Sequence, residues 1–167
     1  ARINNDGSTD LAFTPGTGAN GPVTDVVIYK DTSSNGAPAL LDKIVIVGLF
    51  SSYNGIARNG IALLNADGTL DTSFNPGAGI ILDGNPGIVR SVAWQSDGKI
   101  LFGGDFTHYN GIERHNVARV NSDGSLDQRF DPGVGPNAPV WSVALLDNAP
   151  PFTVGAGTAG GEAEDIN

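Results

Sequence analysis

Oxygen-bearing side chains recur at alternate positions of one short segment, Asn-x-Asp-Gly-[Ser/Thr]-x-Asp. Two of its copies contain the candidate metal ligands Asn65, Asp67, Asp71, Asn121, Asp123 and Asp127. Calcium takes about six to eight oxygen ligands, and loops with Asp or Asn at positions 1, 3 and 5 supply them. Here the glycine stands at position 4, not at the EF-hand position 6, and no Glu follows at position 12. The favoured interpretation is therefore a type I turn in which Asn and Asp bond backbone N–H groups; calcium is the alternative.

A second set of polar and aromatic residues lies in a loop that occurs twice, at residues 50–59 and 106–116. The candidate ligand-binding residues in these loops are Tyr53, Asn54, Arg58, Tyr109, Asn110 and Arg114. Aromatic rings that stack, together with amides and guanidinium groups that form directional hydrogen bonds, suit sugar or peptide recognition. Repetition in each unit is also what packing requires. We therefore favour a structural role, in which the tyrosines pack over the neighbouring unit and the arginines bond loop carbonyls.

The sequence shows no recognisable catalytic set. His108 and His115 lie near Asp105, but no third metal ligand accompanies them, so solvated loop histidines are expected. There is no nucleophile elbow and no phosphate-binding glycine loop. The absence of cysteine excludes disulfides, thiolate nucleophiles and zinc–thiolate sites. We expect a non-enzymatic protein without a cofactor other than the calcium alternative, and a hydrolase or lyase remains the enzymatic alternative.

The elements that position these residues belong to a long repeat. The turn motif begins at Asn4, Asn65 and Asn121, so its copies start 61 and 56 residues apart. A long period of this kind indicates modules that bury their apolar faces only against their neighbours. Phe13, Phe74 and Phe130, which recur before a Pro-Gly step, are predicted packing anchors, and Trp94 and Trp141 are predicted core residues.

A complete unit predicts four short strands, and no helix is predicted. In the second unit they span residues 89–95, 99–104, 116–120 and 125–130, and Asp97-Gly98 between the first two is a strong hairpin signal. The first unit gives residues 23–29, 43–49, 60–65 and 69–74, and the third gives residues 140–146 and 152–155. Four short strands joined by Gly-rich turns are typical of a β-propeller blade. The predicted fold class is therefore all-β, with about three antiparallel propeller blades.

These patterns divide the chain into a propeller segment at 1–158 and an acidic, Gly-rich tail or linker at 159–167. The segment contains a half blade at 1–22, blades at 23–78 and 88–133, and a half blade at 139–157; the first hairpin carries an insertion at 31–42. Propellers close with about four to eight blades. Three blades are too few, so we expect part of a longer propeller or completion by further copies.

Several of these motifs resemble the delta-60 repeat. They are N-x-D-G-[ST]-x-D-x-x-F-x-P-G, V-x-S-V-A, D-G-K-I-L-x-G-G-D-F and Y-N-G-x-x-R, and the resemblance covers residues 1 to about 157. Gly103-Gly104 is more loosely similar to the kelch blade. The resemblance implies tandem β-propeller repeats of large secreted or surface-attached bacterial proteins. It implies no activity.

Charge and hydropathy limit the partners. A net charge of −9 argues against nucleic acid and anionic membranes, and no run of about 18 apolar residues predicts a membrane span. The expected partners are neighbouring blades or copies of the same chain, and surface glycans or proteins. The predicted function is an extracellular or cell-surface scaffold for protein interaction or adhesion, assembling through its half-blade ends; a glycan-binding, lectin-like propeller is the alternative.

Overall fold

The computed structural model describes residues 1–29 and 42–146, and within them the chain is all-β. The predicted strand at 152–155, the tail at 159–167 and nearly all of the insertion at 31–42 lie outside the described residues. The strands are β1 Val23–Tyr29, β2 Lys43–Gly48, β3 Ser52–Tyr53, β4 Ile56–Ala57, β5 Ile61–Asn65, β6 Ile80–Leu82, β7 Asn85–Pro86, β8 Ile88–Trp94, β9 Ile100–Asp105, β10 His108–Tyr109, β11 Ile112–Glu113 and β12 Val117–Val120. No helix in the described ranges is long and apolar enough to cross a membrane.

Two antiparallel sheets form the blades. The first blade has the strand order β1-β2-β5, and the second has the matching order β8-β9-β12. Strand β2 is almost continuously apolar, and its side chains are buried on both faces of the sheet. Val45 and Val47 belong to the core between the two blades, whereas Ile44 and Ile46 belong to a smaller core on the opposite face.

The fourth strand of each blade is reduced to a single bridge. Leu70 pairs with Leu64 in the first blade, and Leu126 pairs with Val120 in the second. The predicted strands at 69–74 and 125–130 are therefore wrong beyond these bridges. Pairing stops because the next Asp folds the chain into a turn: Asp71 Oδ1, for example, accepts a hydrogen bond from the N–H two residues later at 2.9 Å.

The inner segment of the third unit also differs from the prediction. Residues 140–146 are not a strand, and no described strand forms a ladder with them. The segment lies on the second blade through two bonds, from Val140 N to Gly104 O at 2.8 Å and from Val143 N to Ser91 Oγ at 3.3 Å. Trp141 is 71 % exposed, so its predicted place in the core is wrong.

A short loop sheet ties consecutive units together. Hairpins β3–β4 and β10–β11 each turn at an Asn-Gly pair whose φ angles are positive, 50° and 77° in the first and 47° and 76° in the second. Two positive φ values are the requirement of a type I′ turn, which Asn-Gly favours. The link after the first blade supplies β6, which pairs with β10 of the second blade.

The core between the blades contains buried aromatic rings among its aliphatic side chains. Phe74 is fully buried there, which confirms its role as a packing anchor, and Phe102 lies 5.7 Å from both Phe106 and Tyr109 by ring centroids. Offset and tilted ring pairs at such distances stabilise a core beyond the area they bury. Trp94 lies at the edge of this core and stacks on Tyr29.

Candidate functional site

The Asp-Gly turns hold their own carboxylates. Asp67 Oδ1 accepts hydrogen bonds from Thr69 Oγ1 at 2.7 Å and from its backbone N at 2.9 Å. Asp123 does the same with Ser125, at 2.7 and 2.8 Å. These bonds favour the ionised form, so the pKa of each carboxyl lies below its usual value. Each turn is therefore closed by side chains that sequence alone offered as calcium ligands.

The remaining candidate metal ligands are also bonded within the protein. Lys43 Nζ lies 2.7 Å from both Asn65 Oδ1 and Asp71 Oδ2. Burial disfavours the ionised carboxyl of Asp71, but the bonds from Lys43 and from the turn outweigh it and lower its pKa. The ammonium group of Lys43 thus bonds the same two oxygens, of Asn65 and Asp71, that a calcium ion would need as ligands.

The third copy of the motif uses a different cation at the equivalent aspartate. Arg119 contacts Asp127 Oδ2 through Nε at 2.9 Å and through a terminal nitrogen at 2.8 Å, and Asn121 Nδ2 donates to the Ser125 hydroxyl. Arg2 pairs with Asp10 in the first copy. In the described part of the chain, no group of three or more His, Cys, Asp or Glu side chains could hold a metal ion. The geometry supports the structural turn, and calcium stays a prediction.

The two loop tyrosines are core residues. Tyr53 is 2 % exposed and Tyr109 is fully buried, and their hydroxyls donate to the carbonyls of Gly68 at 2.7 Å and Gly124 at 2.5 Å. Burial raises the pKa of both hydroxyls. The rings pack between units, so the predicted packing role is confirmed.

The loop asparagines bond the link that precedes each blade. Asn54 Oδ1 accepts hydrogen bonds from Gly18 N at 2.8 Å and from Thr17 Oγ1 at 3.1 Å. Asn110 Oδ1 accepts one from Ala78 N at 3.0 Å. A Cβ on Gly16 would lie 2.7 Å from the Asn54 oxygen, which explains the recurrent Pro-Gly step: the amide needs the space that glycine leaves.

The loop arginines bond loop carbonyls, as the structural interpretation predicts. Arg58 donates to Ala57 O at 2.7 Å and Arg114 donates to Glu113 O at 2.8 Å. Burial lowers the pKa of Arg58, which is 8 % exposed, whereas Arg114 is half-buried. Ligand binding by the six loop residues stays a prediction.

One concave site lies beside Arg114, with a volume of about 370 Å³. It is lined by Ile112, Glu113, Arg114, His115, Gly133 and Val134. His115 Nε2 lies 2.7 Å from Glu113 Oε1, and this bond lowers the pKa of Glu113. His108 contacts Thr107 instead. The two histidines therefore have different partners and form no metal pair.

Sequence reasoning missed the contacts that join one unit to the next. Thr14 N donates to Asp67 O at 2.6 Å, and Asn75 N donates to Asp123 O at 2.7 Å. Between β1 and β8, the first strands of the two blades, Asp25 Oδ2 accepts a hydrogen bond from Val92 N at 2.9 Å. The recurrence of an x-Pro-Gly step after each Phe was the available signal for the first pair; nothing in the sequence singles out Asp25.

The fold and these contacts define a β-propeller-type repeat protein. Residues 42–74 and 95–130 match a family described as a "Domain of unknown function (DUF5122) beta-propeller". The matched segments run from the second strand of each blade, or the turn before it, to the phenylalanine anchor. The resemblance to delta-60 repeats thus stands at the coarser level of a propeller-type repeat family. Searches of curated proteins and of solved structures found no match to this chain.

Proposed function

We propose that this protein is a non-enzymatic structural module, a rigid propeller-type scaffold that presents protein-interaction surfaces at the cell surface or outside the cell. One observation carries the proposal: the repeated polar residues are already bonded within the fold. The loop amides bond the preceding link, and the tyrosine hydroxyls donate to turn carbonyls. The turn carboxylates accept bonds from the Ser or Thr hydroxyl two residues later or pair with a Lys or Arg side chain. Side chains that are bonded in this way hold each turn closed and hold one unit against the next, which is a structural role.

The extracellular setting rests on the resemblance to surface-protein repeats and on the lack of cysteine. Adhesion and assembly through the end units belong to the same proposal, because blades that stack within the chain present the same kind of surface at its ends.

The scaffold proposal is tested by separating stability from binding. We expect Asn54→Ala and Asn110→Ala to lower the melting temperature, and we expect the wild-type chain to be silent on a glycan array and to turn over no polysaccharide. An enzymatic turnover, or an array signal that Asn110→Ala abolishes at an unchanged melting temperature, would overturn the proposal.

Glycan binding is the second candidate function, and the concave site beside Arg114 is the observation that favours it. The equivalent Arg58 is buried, whereas the half-exposed Arg114 offers donors at the rim beside an exposed Val134. Sites that bind sugars combine an apolar surface with a few directional donors. If this candidate holds, Arg114→Ala removes an array signal that the matched control Arg129→Ala retains.

A further inference from the structure

The two blades present the same face to very different surroundings. Gly48 pairs with Val23 in the first blade, and Gly104 pairs with Val89 in the second, which places Val26 in the position of Val92. Val89 and Val92 are 0 % and 7 % exposed, whereas Val23 and Val26 are 47 % and 54 % exposed. Equivalent positions are therefore buried where a blade precedes them and open where the described residues supply none.

The open face is an apolar groove. It has a volume of about 560 Å³, and its sheet wall is formed by Val23, Val26, Ile28, Ile44 and Ile46. From the first unit, Phe13 and Ala19 pack against this side of the blade, and both remain partly exposed. The groove is formed by the same positions that, in the second blade, pack against the blade before it.

The other end of the chain carries the complementary contact. Strands β1 and β8 each have a register shift that makes room for one extra residue, Thr24 in β1 and Arg90 in β8. Such bulges redirect a side chain. Thr24 Oγ1 donates to Val89 O at 2.5 Å, and the Arg90 guanidinium lies 3.9 Å from the ring centroid of Trp141. Each extra residue therefore reaches the next unit.

Trp141 occupies this same position in the third unit. The match follows from a second contact, since Val143 N bonds Ser91 Oγ as Val92 N bonds Asp25 Oδ2. Trp141 is 71 % exposed, and Ser142 beside it is also exposed. The third unit therefore exposes the residue that contacts the next unit in the two preceding units, and the described residues contain no further unit for it to contact.

We infer that the open face of the first blade binds a second copy of this chain, with Trp141 and Ser142 of one copy against Val23 and Val26 of the next. The inference rests on the proposed scaffold function and names its partner. The contact joins two different surfaces, so it repeats until a ring closes. Each copy has three turn motifs, and propellers close with about four to eight blades, so two copies fit one ring.

The assembly test uses the full chain and light scattering after size exclusion over a wide range of concentrations. We expect a species of twice the 17.1 kDa chain mass that dissociates on dilution. Val26→Asp places a charge in the groove at a half-exposed position and abolishes the assembly, whereas the matched control Ile56→Asp, on a hairpin at 45 % exposure, retains it. Circular dichroism and thermal melting establish that both variants fold.

The orientation test uses single cysteines, which are specific because the chain has none. Mixing Ser142→Cys with Val26→Cys gives a disulfide-linked heterodimer under mild oxidation, and mixing Ser142→Cys with Ile56→Cys does not. A folded monomer at all concentrations, an assembly that survives Val26→Asp, or equal crosslinking in both mixtures would overturn the inference. These results would remove assembly from the proposed function but leave the non-enzymatic scaffold standing, which only turnover or a glycan signal of the kind described above would overturn.

Discussion

Two glycines at the same position of the turn motif separate backbone strain from contact between units. Gly7 and Gly124 have φ angles of +84° and +87°. A Cβ on Gly7 would meet nothing within 4 Å, whereas a Cβ on Gly124 would lie 2.8 Å from the carbonyl carbon and oxygen of Asn75, in the preceding unit. Gly7→Ala and Gly124→Ala are therefore matched variants that differ in one contact.

The magnitudes follow from this difference. An alanine in the left-handed region costs about 1–2 kcal/mol in either turn. Gly124→Ala must also displace the backbone of Asn75, whose N–H donates to Asp123 O, and disturb the carbonyl that accepts the Tyr109 hydroxyl. Breaking such bonds without replacement costs about 1–3 kcal/mol. We expect a loss of about 1–2 kcal/mol for Gly7→Ala and about 2–5 kcal/mol for Gly124→Ala.

Urea unfolding followed by circular dichroism measures both free energies, at a protein concentration where the chain is monomeric. Gly68→Ala provides an intermediate case, since its Cβ would lie 2.9 Å from atoms of the Phe13 ring, and a ring at the edge of the core moves more easily than backbone. Equal losses for Gly7→Ala and Gly124→Ala would refute the view that this glycine permits the units to stack.

Three further outcomes are expected. Asp25→Ala removes the acceptor of Val92 N and lowers the free energy of unfolding by about 1–3 kcal/mol; Asp25→Asn, which keeps one acceptor oxygen, recovers part of this in the same urea assay, and equal losses would contradict the role. Tyr109→Phe leaves the buried carbonyl of Gly124 without its donor and costs about 1–3 kcal/mol, seen as a melting temperature lower by several degrees. The Ser125 bonds lower the pKa of Asp123 below 3.8, so its stabilisation is present above that pH and is lost as the pH falls through the folded-state pKa. Acid titration of Asp123→Asn should therefore show a shallower loss below about pH 4 than the wild type, and identical acid limbs would count against it.

Local features of the fold were predictable from sequence because a few adjacent residues determine them. Asn-Gly between apolar residues specifies the type I′ hairpins, and the apolar runs of β2 and β9 specify strands. The turn motif likewise revealed its Asx bonding. The loop tyrosines were predictable as core residues because they recur in both units.

The fourth strands were predicted too long, because Asp127 closes a turn that ends the pairing soon after Leu126. Contacts between units were also out of reach: Asp25 and Val92 lie 67 residues apart, and their bond depends on a register shift at Thr24 that composition does not reveal. Trp141 was misplaced for the same reason, since its exposed ring contacts the Arg90 guanidinium, 51 residues earlier in the chain.

Both proposed binding surfaces, the groove on the first blade and the concave site beside Arg114, lie where the two units differ. Several residues that both units share make the same bonds in each, as the Asn54 and Asn110 amides do with the preceding link. Asn59 and His115 occupy equivalent positions, each directly after the loop arginine. Asn59 Nδ2 donates to Ala78 O in the link that follows the blade, whereas His115 pairs with Glu113 beside the concave site. In His115→Asn, the new side-chain amide should donate to the carbonyl of Val134, the equivalent of Ala78, and thereby close the concave site beside Arg114. A glycan signal that survives this substitution would place the sugar elsewhere, and one that disappears while assembly persists would separate the chain's two surfaces.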